Sequence, residues 1–363
     1  MRSTWGFIMF LIVFLSLYGG MNTYVLLRLA GLFAVKHKFY IFLLAVFMTF
    51  SLVGATILEA HVGNSFTRCL YLAATTWMGM LWLLFCTLLV YEIVRWVVPI
   101  PKQWAGKIIV GFVILLTVYA AFNARRLEVR YLSIPAPVKL KIAQLSDIHL
   151  GSISPADFRR IIDKTNQLSP DVVLITGDLL DNFNARTQTA VHYLDRLQAP
   201  TYFVTGNHEG YVGLERVTKL LRDTRIKVLR NEVAHFRGIR LVGIDDSFNP
   251  SYPNQILDTL KIDPDKYTIL LYHRPEAIEH IDHHNEIDLV LTGHTHNGQI
   301  FPFNLVVKLF CRYLQGLHRL DGTWLYVSVG TGNWGPPLRL GSRRTITVFQ
   351  LGSNVDKSKI SVP

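Results

Sequence analysis

Two apolar patterns divide this 363-residue chain. Up to about residue 125 apolar positions run on with little interruption, and after it they come in short bursts separated by charged, glycine-containing segments. Four stretches of the first part are long enough to cross a bilayer as helices, which takes roughly 20 apolar residues. They are Trp5 to Leu27, which holds no charged side chain, about Tyr40 to Leu58, Leu70 to Val90, and the shorter Ile108 to Phe122. Helices of a soluble bundle would show polar faces at helical spacing, and these show few. The first stretch is too long for the apolar region of a cleaved signal peptide, and further spans follow it, so it reads as an anchor.

The pattern predicts a membrane domain over 1–125, a linker over 126–140 stiffened by Pro135 and Pro137, an α/β unit over 141–351 and a polar tail over 352–363. VKLKIAQLSDIHL alternates and then turns apolar, as a strand should. SPADFRRIIDKTNQL predicts a helix capped by Ser154 with Pro155 at its first position, and Phe158, Ile161, Ile162, Thr165 and Leu168 share one face. DVVLITGD, TYFVTGNHE, IRLVGIDD, TILLYHRP, IDLVLTGHTH, LYVSVGTGNWG and RTITVFQL read as further strands, with helical segments around TQTAVHYLDRLQ and GLERVTKLLRD. Strands alternating with helices early and crowding together later predict an α/β sandwich.

The strands share one habit. They end in Asp147 and His149, in Gly177-Asp178, in Gly206-Asn207-His208-Glu209, in His273, and in Gly293-His294-Thr295-His296. In open α/β sheets, ligands bind outside the carboxyl ends of strands, so these groups should converge. The glycines before them permit tight turns and close backbone approach. Carboxylates and imidazoles together suit manganese, iron or zinc better than calcium or magnesium. The donors outnumber what one tetrahedral ion takes and fit two ions sharing a carboxylate. Such a pair can activate a water and stabilise attacking and leaving oxygens at phosphorus.

Charge and cysteine refine this only slightly. The net charge of +11 fits attraction to anionic lipid head groups, with Arg125, Arg126 and Arg130 just beyond the last span. Without interleaved aromatic and basic motifs, no nucleic-acid partner is expected. Cys311 is alone in the soluble part, which excludes a disulfide within it, and no CxxC zinc pattern occurs. Four spans return the chain to the side of its N-terminal end. Arg28, Lys36, Lys38, Arg95, Lys102 and Lys107 on one face nearly balance Arg2, Arg68, Arg125, Arg126 and Arg130 on the other, so charge does not orient it.

DIH, GD, GNHE, the isolated His273 and GHTH, in that order, resemble the motif set of the calcineurin-like metallophosphoesterases over residues 140 to 350. The membrane part, with GHTHNGQIFP and GTGNWGPPLRLG, resembles the membrane-attached bacterial branch, some of whose members hydrolyse the pyrophosphate of UDP-2,3-diacylglucosamine, a lipid A precursor. The resemblance implies a four-layer sandwich of two mixed sheets flanked by helices. It implies two divalent ions (Mn2+, Fe2+/3+ or Zn2+), one held by Asp147, His149 and His296, the other by Asn207, His273 and His294, with Asp178 bridging. A metal-activated water would attack phosphorus. His208 would protonate the leaving oxygen or hold the phosphoryl group, which Asn207 also touches. Relatives often carry Gly-Gly-Gln where this chain has Asn297-Gly298-Gln299, a change that asparagine's tolerance of left-handed backbone should absorb.

Other polar residues weigh less. Asp282, His283 and His284 read as a solvated loop, and Asp245 and Asp246 as strand-end residues outside the metal set. Arg274 and Arg339 are candidates for phosphate binding or, equally, for structural salt bridges. Residues 301 to 320 mix aliphatic, aromatic and basic side chains, suiting either a membrane surface or a cover for the core. The expected protein is a multi-pass enzyme of the cell (inner) membrane acting on a phosphorylated small molecule or lipid, such as a UDP-acylated sugar, with membrane lipids as neighbours. Nucleotide-linked substrates favour the cytoplasmic face; the oligomeric state stays open. The alternatives are a phosphodiesterase or phosphatase for soluble or cell-envelope phosphates, and a membrane transporter or sensor with a metal-binding regulatory domain.

Overall fold

In the computed structural model, the described residues are 4–260, 262, 264–281, 286–320 and 322–352. Asp282, His283, His284 and the tail from residue 353 lie outside them. The chain divides into two units, one built mainly from residues up to Phe122, the other from Asn123 onward.

The first unit holds four helices, α1 Thr4–Leu32, α2 Lys38–His61, α3 Ser65–Val94 and α4 Lys102–Asn123, each long and apolar enough to cross a membrane. Large side chains such as Phe47, Ile57 and Leu115 point outward, as a lipid-facing surface requires. Several polar groups inside are paired. Glu92 bridges Arg28 and Arg95, Trp77 Nε1 donates to Asn22 Oδ1 at 2.9 Å, and Thr67 Oγ1 donates to the buried Glu59 at 2.7 Å. Glu92 is thus neutralised by two arginines.

The second unit contains twelve named strands and six named helices among the described residues. In chain order they are β1 Leu127–Pro135, β2 Leu140–Leu145, α5 Pro155–Gln167, β3 Val172–Thr176, α6 Ala185–Val191, β4 Thr201–Val204, α7 Asn207–Val212, α8 Leu214–Arg222, β5 Lys227–Val228 and β6 Glu232–Phe236. There follow β7 Ile239–Gly243, α9 Tyr252–Thr259, β8 Thr268–Leu271, β9 Leu289–Thr292, α10 Phe303–Val307, β10 Gly316–Leu320, β11 Thr323–Val327 and β12 Arg344–Gly352. One sheet has the order β1-β12-β2-β3-β4-β5, the other β10-β11-β9-β8-β7-β6. Both are mixed: β12 runs parallel to β1 and antiparallel to β2, and antiparallel edges β6 and β10 flank a parallel centre.

The period of two explains the layers. On β3, Val172 and Leu174 face the other sheet, while Val173 and Ile175 face the helices that carry Phe158, Ile161 and Leu221. Across the sandwich, Leu241, Ile269, Leu271, Leu289 and Leu291 complete the inner layer, and Val242, Leu270 and Val290 pack outward with Leu257 and Ile278. Strands buried on both faces must be apolar throughout, which is why VVLIT and LVLT read as continuous runs.

One expectation is corrected. Most of the segment expected as a linker is β1, paired with β12 over nine residues. Glu128, Arg130 and Ser133 gave it a loop-like composition, but Leu132 and Ile134 enter the inter-sheet core. Pro135 closes an edge strand, where a missing N–H costs no ladder bond.

Candidate metal centre

The carboxyl ends of β2, β3, β4, β8 and β9 deliver the predicted side chains to one place. Their backbones are unusual. Asp147, His149, Asp178, His294 and His296 all have φ between 49° and 73°, the left-handed region that non-glycine residues avoid. Packing and hydrogen bonds must hold them there, a cost that proteins concentrate at functional sites. Close approach also explains two glycines. A Cβ on Gly293 would fall 2.0 Å from Ser146 Oγ, and one on Gly206 would fall 2.3 Å from Asp178 Oδ1.

Donor atoms gather in two main groups. Asp147, His149 and His296 form one, and Asp178, His273 and His294 the other, each with ligand atoms within 4.8 Å of one another. Asp178 Oδ2 reaches both, 3.8 Å from His149 Nε2 and 3.2 Å from His273 Nε2. The two histidines of GHTH, separated by one residue, therefore belong to different groups. Asn207 is buried beside them at the start of α7.

Whether the donors fit cations can be tested on the atoms themselves. Asn207 Oδ1 is buried and lacks a hydrogen-bond partner, and the buried His273 Nε2 faces Asp178 Oδ2. His273 Nδ1 donates to the Thr176 carbonyl at 2.8 Å, so neutral His273 presents a bare lone pair at Nε2. His149 Nδ1 donates to Asp181 Oδ1 at 2.6 Å, and its Nε2 faces His296 Nε2 at 2.9 Å. Two ring nitrogens that close need a proton or a metal between them. The set fits divalent ions well.

Without ions the imidazoles divide: His273 is held protonated and must give up that proton to bind a metal, whereas His294 and His296 are already neutral. Burial works against a charged His273, but Asp178 and Asp147 outweigh it and raise its pKa to about 10. Burial also disfavours ionised Asp178, yet His273 and His208 hold it well below the usual carboxylate range. His294 and His296 are pushed well below the ordinary histidine value, first by burial and then by neighbouring cationic groups. Neutral imidazole is the form that binds a metal.

The supports are as informative. Asp147 accepts from Ser146 Oγ at 2.5 Å and from the backbone N–H of His294 at 2.8 Å. Glu209 accepts from the backbone N–H groups of Asp178, Leu179, Leu180 and Gly206, at 2.7 to 3.3 Å, and so shapes the turn that carries Asp178. Burial, then Asp178, raises its pKa to about 7. Asp181, three residues after Asp178, is a functional residue the strand-end pattern missed. Its Oδ1 accepts from both His149 Nδ1 and His208 Nδ1, the latter at 2.8 Å. The only signal was the second carboxylate in GDLLD. His208 packs edge-on to Tyr211 and Trp334, and although burial opposes it, Asp178 and Asp181 raise its pKa to about 9.

Three further residues resolve as structural supports. Arg274 meets Asp246 with Nε at 2.6 Å and Nη2 at 3.2 Å and stacks over Phe248, the contacts of a structural salt bridge, while its Nη1 lies 3.5 Å from His294 Nε2. Arg339 is corrected likewise: fully buried, it donates to Asn333 Oδ1, Ser342 Oγ, the Gly332 carbonyl and His296 Nδ1. It positions the loop behind His296. Asp245 accepts from Thr205 and Arg230. Asn297 sits at φ 51°, ψ 38°, so the departure from Gly-Gly-Gln leaves the turn intact.

The calcineurin-like phosphoesterase family model matches residues 140–298. An uncharacterized metallophosphoesterase of Campylobacter jejuni is 31% identical over 369 residues, covering 95% of this chain and 98% of the relative. One from Helicobacter pylori is 42% identical over 59% of this chain and 60% of its own length, so the chain spans less than two thirds of that relative. A transmembrane protein with metallophosphoesterase domain from Bos taurus is 38% identical over 59% of this chain and 53% of the relative.

Proposed function

The chain belongs to the calcineurin-like phosphoesterase family, and from that premise we propose that it is a membrane-anchored, two-metal hydrolase of phosphoester or pyrophosphate bonds. One observation carries this reading: Asp178 Oδ2 reaches both donor groups, 3.8 Å from His149 Nε2 and 3.2 Å from His273 Nε2, and the buried Asn207 Oδ1 has no hydrogen-bond partner. Asp147, His149 and His296 would hold one ion, Asn207, His273 and His294 the other, and Asp178 both. When bound, manganese, iron or zinc ions supply Lewis acidity and an activated water at neutral pH.

The chain's own residues supply the rest. Asp181 holds His208 Nδ1, so the ring turns its Nε2 to the site and offers the proton there to the leaving oxygen. A positioned general acid contributes roughly 10²–10⁴-fold in rate. Half-exposed Trp334 and Tyr211 beside His208 give the mouth an apolar rim suited to a lipid- or nucleotide-linked substrate such as an acylated UDP-sugar. Four spans return the chain to the side of its N-terminal end, which this reading makes the cytoplasmic face of the cell (inner) membrane. Protease accessibility in intact cells checks that assignment.

The test uses the purified full chain loaded with each metal and given an aryl phosphodiester, simple phosphate monoesters and an acylated UDP-sugar. Metal-dependent turnover that vanishes in Asp178→Asn is expected. A folded, metal-loaded chain inert toward all three would sink the hydrolase reading. Turnover of the simple esters alone would favour the soluble or cell-envelope substrates.

A further inference from the structure

The loop that begins at the metal centre turns apolar side chains outward. It leaves His296, forms α10, and is closed by Thr295 Oγ1 donating to the Leu314 carbonyl at 2.6 Å. Phe301 is 50% exposed, Leu305 58%, Leu309 78% and Phe310 81%, and α10 has no buried residue. A helix that covers the core would bury one face; this one does not.

The loop is nevertheless well held. Phe301 N donates to the Leu340 carbonyl at 2.9 Å, Cys311 is buried, and the Gln299 side chain both donates to and accepts from the Trp334 backbone. A fixed scaffold displaying contiguous large apolar side chains marks an interaction or membrane surface. Charge indicates which. From Leu289 to Leu320 there is no Asp or Glu, while Lys308, Arg312 and Arg319 fall within the run. Apolar side chains interleaved with cations are the composition of a segment lying in the lipid head-group layer. The same chain carries four helices of membrane-spanning length.

We propose that residues 299–312 dock into an anionic bilayer surface, with Leu309 and Phe310 below the head groups and Lys308 and Arg312 among them. Phe301 is five residues after His296, and an extended chain covers at most about 3.6 Å per residue, so the metal centre lies within roughly 18 Å of the docked loop. A phosphate carried in the head-group layer is therefore the natural substrate. The inference rests on the membrane anchoring proposed above and not on which bond is cleaved.

The experiment places an environment-sensitive fluorophore at Leu309→Cys in the full chain, with Cys69 and Cys86 replaced by alanine. The chain is reconstituted in vesicles of phosphatidylglycerol and phosphatidylcholine. The same chain without Leu309→Cys sets the labelling blank, and Phe47→Cys, on the exposed face of α2, is the anchoring control. Docking predicts that spin-labelled lipid at least halves the emission at position 309, as at position 47, while aqueous iodide leaves it unchanged. It also predicts that the quenching weakens in pure phosphatidylcholine. Iodide quenching at 309 with lipid quenching at 47 would overturn docking and leave anchoring intact. Iodide quenching at both would remove the anchoring as well. Shielding at 309 that disappears when the protein is diluted in excess lipid would assign the surface to a second copy of the chain and overturn the proposal.

Discussion

Asp181 Oδ1 lies 2.6 Å from His149 Nδ1, so one carboxylate fixes the tautomer and ring orientation of a candidate metal ligand. The same oxygen holds His208, and both rings are thereby left with Nε2 turned to the site. Asp181→Asn keeps the shape but lets the amide donate where an acceptor is needed. Loss of such a support typically costs 10–100-fold in metal affinity or activity. Metal titration monitored by calorimetry, beside turnover of an aryl phosphodiester, should show both losses. Unchanged values in both would mean that Asp181 merely packs.

Chelation should lower the melting temperature of the soluble unit. Its centre crowds Asp147, Asp178 and four histidines, with Asn207 Oδ1 buried and unpartnered, and metal binding to the native state alone stabilises it by mass action. At a hundredfold excess over the dissociation constant, one site contributes about 2.7 kcal/mol. Differential scanning fluorimetry of the full chain, before and after chelation and after manganese is restored, should show a fall and a recovery. A melting temperature indifferent to both would deny that these residues hold ions.

Much of this was legible because the site is built from strand ends. Each apolar burst stops where its polar cargo begins, and α5 starts at Ser154 with Pro155 next, as its sequence predicts. The edge strands were not legible, because half-exposed strands carry mixed composition. β6 buries Ala234 alone, with Glu232 and His235 exposed, and its hairpin to β7 turns on Arg237 and Gly238, both at positive φ, a pair less conspicuous than Asn-Gly. The support role of Arg339 depends on complete burial, which no local pattern announces. Asp181 was hidden for the opposite reason: it belongs to a turn whose more conspicuous member, Asp178, already had a role.

Glu209 should matter more to folding than its place one residue beyond His208 suggests. Its two oxygens accept four backbone N–H groups around the Asp178 turn, and the side chain is wholly buried. Glutamine supplies one acceptor oxygen and an NH₂ that faces the remaining donors. Buried donors left unpaired cost about 1–3 kcal/mol. Glu209→Gln should therefore lower the unfolding free energy of the second unit by that amount, read as a lower denaturation midpoint, and weaken metal binding through the displaced turn. A midpoint equal to the parent's would show that the turn holds without it.

The metal-free protein should also lose stability as pH rises, with His208 a principal cause. Burial works against its charged form, but Asp178 and Asp181 raise its pKa from 6.5 to about 9 in the folded state. Below pH 6.5 the ring is protonated in folded and unfolded chains alike, and the ion pairs contribute fully. Between 6.5 and about 9 the unfolded chain releases its proton first, so stability falls across that window. Above it, the contribution is gone. The shift corresponds to on the order of 3 kcal/mol. Thermal melts of chelated protein at pH 6 and pH 10 should differ more for the parent than for His208→Asn, which has no proton to lose there. Equal pH dependence in the two would mean that the ring is not held charged by its aspartates.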